Sequence, residues 1–215
     1  MFENEYWSLW EESGVELPKI KTPRKASIKS KNLEGLQEFL GNCKRCKLCK
    51  ERNKIVFGSG NPKARLMFIG EGPGADEDAQ GLPFVGRAGH LLTKIIEAMG
   101  LTRNDVYIAN IVKCRPPSNR VPEPDEIDQC LPFLKAQIDL VAPEMVVALG
   151  LTAARALTQT EHNMGNLRGQ FHQIAFKTDL TLMPTYHPAY LLRNPSAKKI
   201  VWEDMKLVKE RLGLN

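Results

Sequence analysis

Cysteines, a glycine-rich acidic turn, an asparagine and a histidine are the residues of this chain whose type and spacing could do chemistry. Cys43 and Cys46 form a C-x-x-C pair, a short loop that can direct two thiolates to one centre, and Cys114 and Cys130 could complete a set of four. Four thiolates suit either a zinc tetrahedron or a [4Fe–4S] cluster, and spacing does not separate the two. Cys49 makes a second C-x-x-C register with Cys46, so the first ligand of such a set stays open. Five cysteines is an odd count, and in a reducing compartment disulfides are disfavoured. The segment GEGPGADED, residues 70–78, is glycine-rich but lacks the Lys-Ser/Thr of a phosphate-binding loop, and its carboxylates would repel phosphate. A tight turn with a carboxylate facing a crevice suits a neutral base or a water better. Asn110 and His187 add an amide with both donor and acceptor and an imidazole.

The elements that must position these residues are legible as four short apolar runs, Arg65–Ile69, Val106–Ile111, Met145–Leu149 and Leu180–Tyr186. Helical patterns separate them. Gly86–Met99 presents Leu91, Leu92, Ile95, Ile96 and Met99 on one face, and Pro124–Val141 presents Ile127, Leu131, Leu134, Ile138 and Val141. Leu151–Leu157 and a C-terminal helix near Lys198–Leu212 complete the set. Strands alternating with helices predict an α/β fold, a three-layer α/β/α arrangement around a central, mainly parallel four-stranded sheet. In such sheets ligands bind beyond the carboxyl ends of the strands. GEGPG follows the first run, Asn110 ends the second and His187 follows the fourth, so three segments converge on one crevice.

With 215 residues, 42% hydrophobic and 26% charged, the chain has the length and composition of one folded domain. No apolar stretch approaches the length of a bilayer span, and the acidic, aromatic start MFENEYWSLWEES lacks the pattern of a secretory signal, which makes the cytoplasm the expected compartment. The net charge of +5 is compatible with a polyanionic partner but decides little by itself. Its distribution says more: residues 18–32 hold six Lys or Arg and no acid, and a second basic group (Lys44, Arg45, Lys47, Lys50, Arg52, Lys54) surrounds the cysteines. Residues 1–32 read as an arm, a half-helix over Phe2–Glu12 followed by a basic linker, ahead of a domain at 33–215. A small appendage packed on the domain is the plain reading of the half-helix, and a partner-binding helix is the alternative.

GEGPGADEDAQGLPFVGRAG, ANIVKCRPPSNRVPEPDE, the C-x-x-C pair and YHPAYLLRNP together resemble the family 4 uracil-DNA glycosylases, the iron–sulfur bacterial and archaeal members of the uracil-DNA glycosylase superfamily. The resemblance runs from about Cys43 to Leu212. It implies a monofunctional, monomeric enzyme that hydrolyses the N-glycosidic bond of uracil in DNA, single- or double-stranded, and leaves an abasic site. It also implies a [4Fe–4S] cluster on Cys43, Cys46, Cys114 and Cys130, with Cys49 a free thiol. Glu71 and His187 fall at the catalytic positions. Gly70, Gly72, Glu77, Phe84 and Asn110 fall at positions that bind the base, Phe84 to stack on it, Asn110 to read it and Glu77 near enough to crowd its 5-position. DNA contact is expected from the loop at Arg115–Arg120, from Arg87, and from the YHPAYLLRNP loop, where Leu191 or Leu192 could wedge into the gap left by a flipped base and Arg193 could meet a phosphate. Ala189 stands where the family often has Ser, which removes one hydroxyl contact to phosphate.

Taken singly, these residues would be ordinary: Phe84 a core residue, Asn110 a cap, His187 a turn residue before proline. Their convergence at the strand ends is what carries the functional reading. Two rivals remain in view. Covalently trapping relatives carry a basic, histidine-containing insertion, and KCRPPSNRVPEPDE has no histidine. A zinc-stabilised scaffold would be colourless where an iron–sulfur protein is brown.

Overall fold

Burial on both faces decides the architecture. The computed structural model describes Ile28 and residues 30–214, so the half-helix and most of the basic linker expected ahead of the domain lie outside the described residues. Within them the chain runs α1 (Leu33–Leu40), β1 (Ser59–Gly60), β2 (Leu66–Gly70), α2 (Ala75–Gln80), α3 (Arg87–Ala98), β3 (Tyr107–Asn110), α4 (Pro124–Val141), β4 (Met145–Leu149), α5 (Leu151–Thr158), α6 (Met164–Leu167), β5 (His172–Ile174), β6 (Lys177–Thr185), α7 (Pro188–Arg193) and α8 (Ala197–Leu212). Every residue of β2 and β4 is buried, as expected of strands covered on both sides.

Alternate strand residues feed two separate cores. Met67, Ile69, Val146 and Ala148 pack with α1, α4, α5 and α6. Leu66, Phe68, Met145 and Val147 pack with α3 and α8. The period of two along each strand thus makes a three-layer α/β/α fold.

The sheet order is β1-β3-β2-β4-β6-β5. Its four central strands are parallel and correspond to the four apolar runs of the sequence. The count of four is corrected to six by β1 and β5, both antiparallel edges. They have two and three residues, too short to show an alternating pattern. A further correction concerns YHPAYLLRNP: Pro188–Arg193 is helix, not loop, with Pro188 in the first turn and His187 as its N-cap. The acidic end of GEGPGADED likewise starts α2, with Asp76, Glu77 and Asp78 in the first turn.

From β2 the chain steps to β3 on one side and then returns to β4 on the other. That reversal opens a crevice at the carboxyl ends of the strands. The register keeps those ends level: Gly70 is opposite Asn110, and Leu149 is opposite Thr185. Thr185 is tied down from below, its hydroxyl donating to the buried Asp204 of α8 at 2.6 Å, and Arg168 donates to the same carboxylate. No helix of the described residues is long and apolar enough to cross a membrane.

Candidate active site

A cavity of about 530 Å³ occupies the crevice, and Glu71, Gly72, Phe84, Asn110 and His187 all line it. Asn110, the last residue of β3, is 1% exposed, and its Oδ1 has no hydrogen-bond partner. A buried acceptor left without a partner costs roughly 1–3 kcal/mol, so the site holds an open acceptor that suits an N–H donor from a ligand. Gly70 makes the approach possible. A Cβ there would lie 2.5 Å from Asn110 Oδ1 and 2.6 Å from Phe84 Cζ, so a side chain at 70 would displace both.

Phe84 is 6% exposed and has φ of 54°, a left-handed conformation that phenylalanine rarely takes. Its neighbours hold it there. Arg103 donates from Nη1 to the Phe84 carbonyl at 3.1 Å and from Nη2 to the Pro83 carbonyl at 2.8 Å. Glu77 accepts from the N–H groups of Val85 at 2.8 Å, Gly86 at 3.0 Å and Gly74 at 3.1 Å. Gly89 leaves room for the turn, since a Cβ there would sit 2.0 Å from the Phe84 carbonyl. Glu77 does line the cavity, but its oxygens are engaged by backbone N–H groups, and the work seen for it is to shape the Phe84 turn. Arg103 was not anticipated from sequence. Nη1 also reaches Thr93 Oγ1 at 3.3 Å, but the two carbonyl oxygens, some twenty positions away, leave no mark on residue type.

His187 caps α7, its Nδ1 accepting from the Ala189 N–H at 3.1 Å. Burial is the main cause holding the imidazole pKa down to about 4, with Arg193 acting in the same direction and Glu77 opposing. At neutral pH the ring is therefore uncharged, and because Nδ1 accepts, the proton resides on Nε2. The ring lies 5.6 Å from that of Phe84, centroid to centroid. A neutral donor and an aromatic face thus flank one space. Glu71 lines the same space; its backbone carbonyl accepts from Val112 at 3.1 Å, and its carboxylate is unpaired among the described residues.

The rim separates the expected DNA contacts. Arg193 is exposed and lines the cavity. Arg87 is exposed at the start of α3, and Arg115 donates to Asn119 at 2.8 Å; both lie outside the lining. Arg120 reaches the lining, but Glu126 binds its guanidinium through two oxygens, at 2.8 and 2.6 Å. Leu191 is a correction: it is 1% exposed and packs among α3 and α8 residues, so it cannot wedge into anything outside. On a helix, one position of rotation exchanges core for solvent, and Leu192, at 37% exposure, is the outward neighbour.

A second pocket collects all five cysteines, from the loop after α1, from the loop after β3 and from α4. Burial pushes the Cys114 thiol up to about 12 and the Cys130 thiol up to about 11. Basic groups oppose that cost. Arg52 donates to Cys114 Sγ at 3.2 Å, Arg45 to Cys43 Sγ at 3.3 Å, and the Lys113 N–H to Cys130 Sγ at 3.2 Å. The Leu48 N–H acts on Cys46 in the same sense. Cys49 lines the pocket, but no such donor reaches its sulfur among the described residues. Lys113 is itself buried, which holds its ammonium down to about 8, with the Cys130 sulfur opposing.

Residues 57–206 match the model of the uracil DNA glycosylase superfamily. Among curated proteins, the type-4 uracil-DNA glycosylase of Sulfurisphaera tokodaii is 44% identical, over 83% of this chain and 84% of its own length. That of Thermotoga maritima is 44% identical over 82% and 93%. That of Archaeoglobus fulgidus is 36% identical over 85% and 94%. With these matches spanning the strands and the crevice described above, the chain belongs to the type-4 uracil-DNA glycosylases of the uracil DNA glycosylase superfamily.

Proposed function

We propose that this protein excises uracil from DNA in base-excision repair by hydrolysing the bond between uracil N1 and the sugar C1′, leaving an abasic site. The observation that carries the reading is the buried, unpartnered Oδ1 of Asn110 facing a cavity flanked by Phe84 and His187. Uracil presents a ring N–H beside a keto oxygen. The Asn110 amide can accept from the first and donate to the second. Cytosine presents the reverse pattern and would leave buried polar groups unpaired, which is the strongest kind of discrimination a pocket can build.

The base reaches the cavity only out of the helical stack, at a cost of roughly a few kcal/mol. The Phe84 face returns about 1–3 kcal/mol of that as stacking. As the glycosidic bond breaks, its electron pair leaves with uracil, and the sugar becomes oxocarbenium-like. Neutral His187 donates from Nε2 to the keto oxygen, where negative charge grows in the transition state. Glu71 orients the water that attacks C1′ and stabilises the cationic sugar, and the water's proton leaves the site with the uracil. Arg193, Arg87 and Arg115 meet the DNA backbone, and Leu192 is the outward side chain at the flipped-base gap. The catalytic unit is residues 33–215, acting as a monomer, with 1–32 an arm ahead of it.

A [4Fe–4S] cluster belongs to the same reading, held by Cys43, Cys46, Cys114 and Cys130. Two observations support the fit. All five cysteines line one pocket. Three of the proposed ligands, Cys43, Cys114 and Cys130, also receive N–H donors at sulfur, the means by which proteins stabilise cluster thiolates. When bound, the cluster would supply a cross-link between the loop after α1, the loop after β3 and α4. Chemistry at the base belongs to the other pocket.

Incubation with a uracil-containing oligonucleotide, followed by alkaline cleavage of abasic sites, tests the activity. Free uracil and an alkali-labile strand with no nick beforehand are expected. A metal-dependent nick, or no product at enzyme excess, overturns the reading. Asn110→Asp tests the base reader: the carboxylate loses the amide donor and repels the uracil anion, so uracil excision falls and preference moves toward cytosine.

A further inference from the structure

We propose that Lys113 is a positioning residue that couples the cysteine pocket to the base-reading end of β3, its buried ammonium serving both as internal counter-ion to the cluster and as the clamp on the Asn110 carbonyl. The inference rests on the cluster reading above and concerns a residue to which neither the resemblance nor the mechanism assigns a role.

Lys113 is 1% exposed and is among the largest fully buried side chains of the protein. A buried ammonium is costly unless it is paired and hydrogen-bonded. Its Nζ donates to the backbone carbonyl of Asn110 at 2.7 Å. Among the described residues no carboxylate forms an ion pair with it, and the side chain that meets Lys113 from the cysteine pocket is Cys130, whose Sγ lies 3.2 Å from the Lys113 N. A neutral carbonyl satisfies one N–H but does not balance a charge. A cluster bound by four thiolates is an anion, and Lys113 lines its pocket.

The backbone of the same residue completes the link. Its N–H donates to Cys130 Sγ at 3.2 Å, and its carbonyl accepts from Val56 at 2.8 Å. One residue therefore touches a ligand sulfur with its amide and the base-reading residue with its side chain, while the next residue is the proposed ligand Cys114. The carbonyl it holds lies in the residue whose Oδ1 awaits the base, so a shift of this carbonyl would carry the amide off the uracil edge.

The test uses the loaded full-length protein, Lys113→Met, which removes charge and donor, and Lys113→Gln, which removes the charge but keeps a donor. Iron and acid-labile sulfide, the reduction potential of the cluster, and affinity for free uracil are measured on each. Both variants are expected to show a more negative potential, because a neighbouring positive charge has been removed. Lys113→Met is expected to bind uracil about tenfold more weakly, the effect of one hydrogen bond lost at a buried site, and Lys113→Gln to recover part of that affinity. Should the variants fold poorly, the wild type provides the second measurement: saturating uracil must shift its reduction potential, by the reciprocity of linked sites. A loaded wild type with a potential indifferent to uracil, or variants matching it in potential and affinity, overturns the coupling alone. A wild type without iron and sulfide overturns the cluster reading and the inference with it.

Discussion

The base pocket is assembled from the level ends of four parallel strands, while the cysteine pocket draws on two loops and a helix that share no ladder. In the first, Gly70, Asn110, Leu149 and Thr185 are held in register by the sheet, and Phe84 is clamped by Arg103 and Glu77 through backbone groups. In the second, the segments bearing Cys43, Cys46 and Cys49 are short loop and 3₁₀ turn, tied to the rest by the buried Leu48, by the Lys47–Glu123 ion pair and by Arg52 donating to Cys114 Sγ. The difference teaches which pocket is preorganised by folding and which depends on what it binds. The sheet and its clamps shape the base site before any substrate arrives. The thiols are gathered, but burial disfavours the thiolate form of Cys114 and Cys130 until a metal centre takes the charge.

The comparison breaks most visibly at the cysteines. Cys114→Ser should abolish the visible absorbance of the cluster and lower the melting temperature by roughly 10 °C or more, because cluster-binding energy is folding energy. Cys49→Ser should keep both. If Cys49→Ser loses the colour and Cys43→Ser keeps it, the ligand register is off by one C-x-x-C step.

In the base pocket, His187→Ala should leave folding and the cluster intact and lower single-turnover cleavage by about 10²–10³, the usual effect of removing a transition-state donor. Binding to uncleavable uracil-containing DNA should stay nearly unchanged. Wild-type cleavage with poor binding would make His187 a positioning residue instead.

Arg103→Met sharpens the claim that the Phe84 turn is preorganised. Without the two bonds to the Pro83 and Phe84 carbonyls the left-handed turn relaxes, and uracil affinity should fall about tenfold. Unchanged affinity would mean that Glu77 and Gly89 suffice to hold the turn.

The smallest effect is a titration. His187 is held near 4 in the folded protein against an ordinary 6.5. The unfolded chain therefore binds its proton first as pH falls, so the residue's contribution to stability is intact above 6.5 and is lost between 6.5 and about 4. The imidazole chemical shift should titrate with a midpoint near 4; a midpoint near 6.5 would place the ring in water rather than in a closed pocket.

The sequence by itself determined the layered fold and the residues at the strand ends, because apolar periodicity records which face of each element is buried. Met145–Leu149 and Pro124–Val141 could be delimited this way, and the motif residues Glu71, Phe84, Asn110 and His187 do line one cavity. Edge strands of two and three residues are below the length at which any period shows. The tertiary structure alone decided the rest. Whether Leu191 or Leu192 faces outward depends on the rotation of a six-residue helix against α3 and α8, not on their identical chemistry. Arg103 and Lys113 act on backbone carbonyls, which every residue possesses, so nothing in the partner's identity announces the contact. Periodicity is local along the chain, whereas these hydrogen bonds are chosen only when folding brings an unpaired backbone group and a buried cation to the same place.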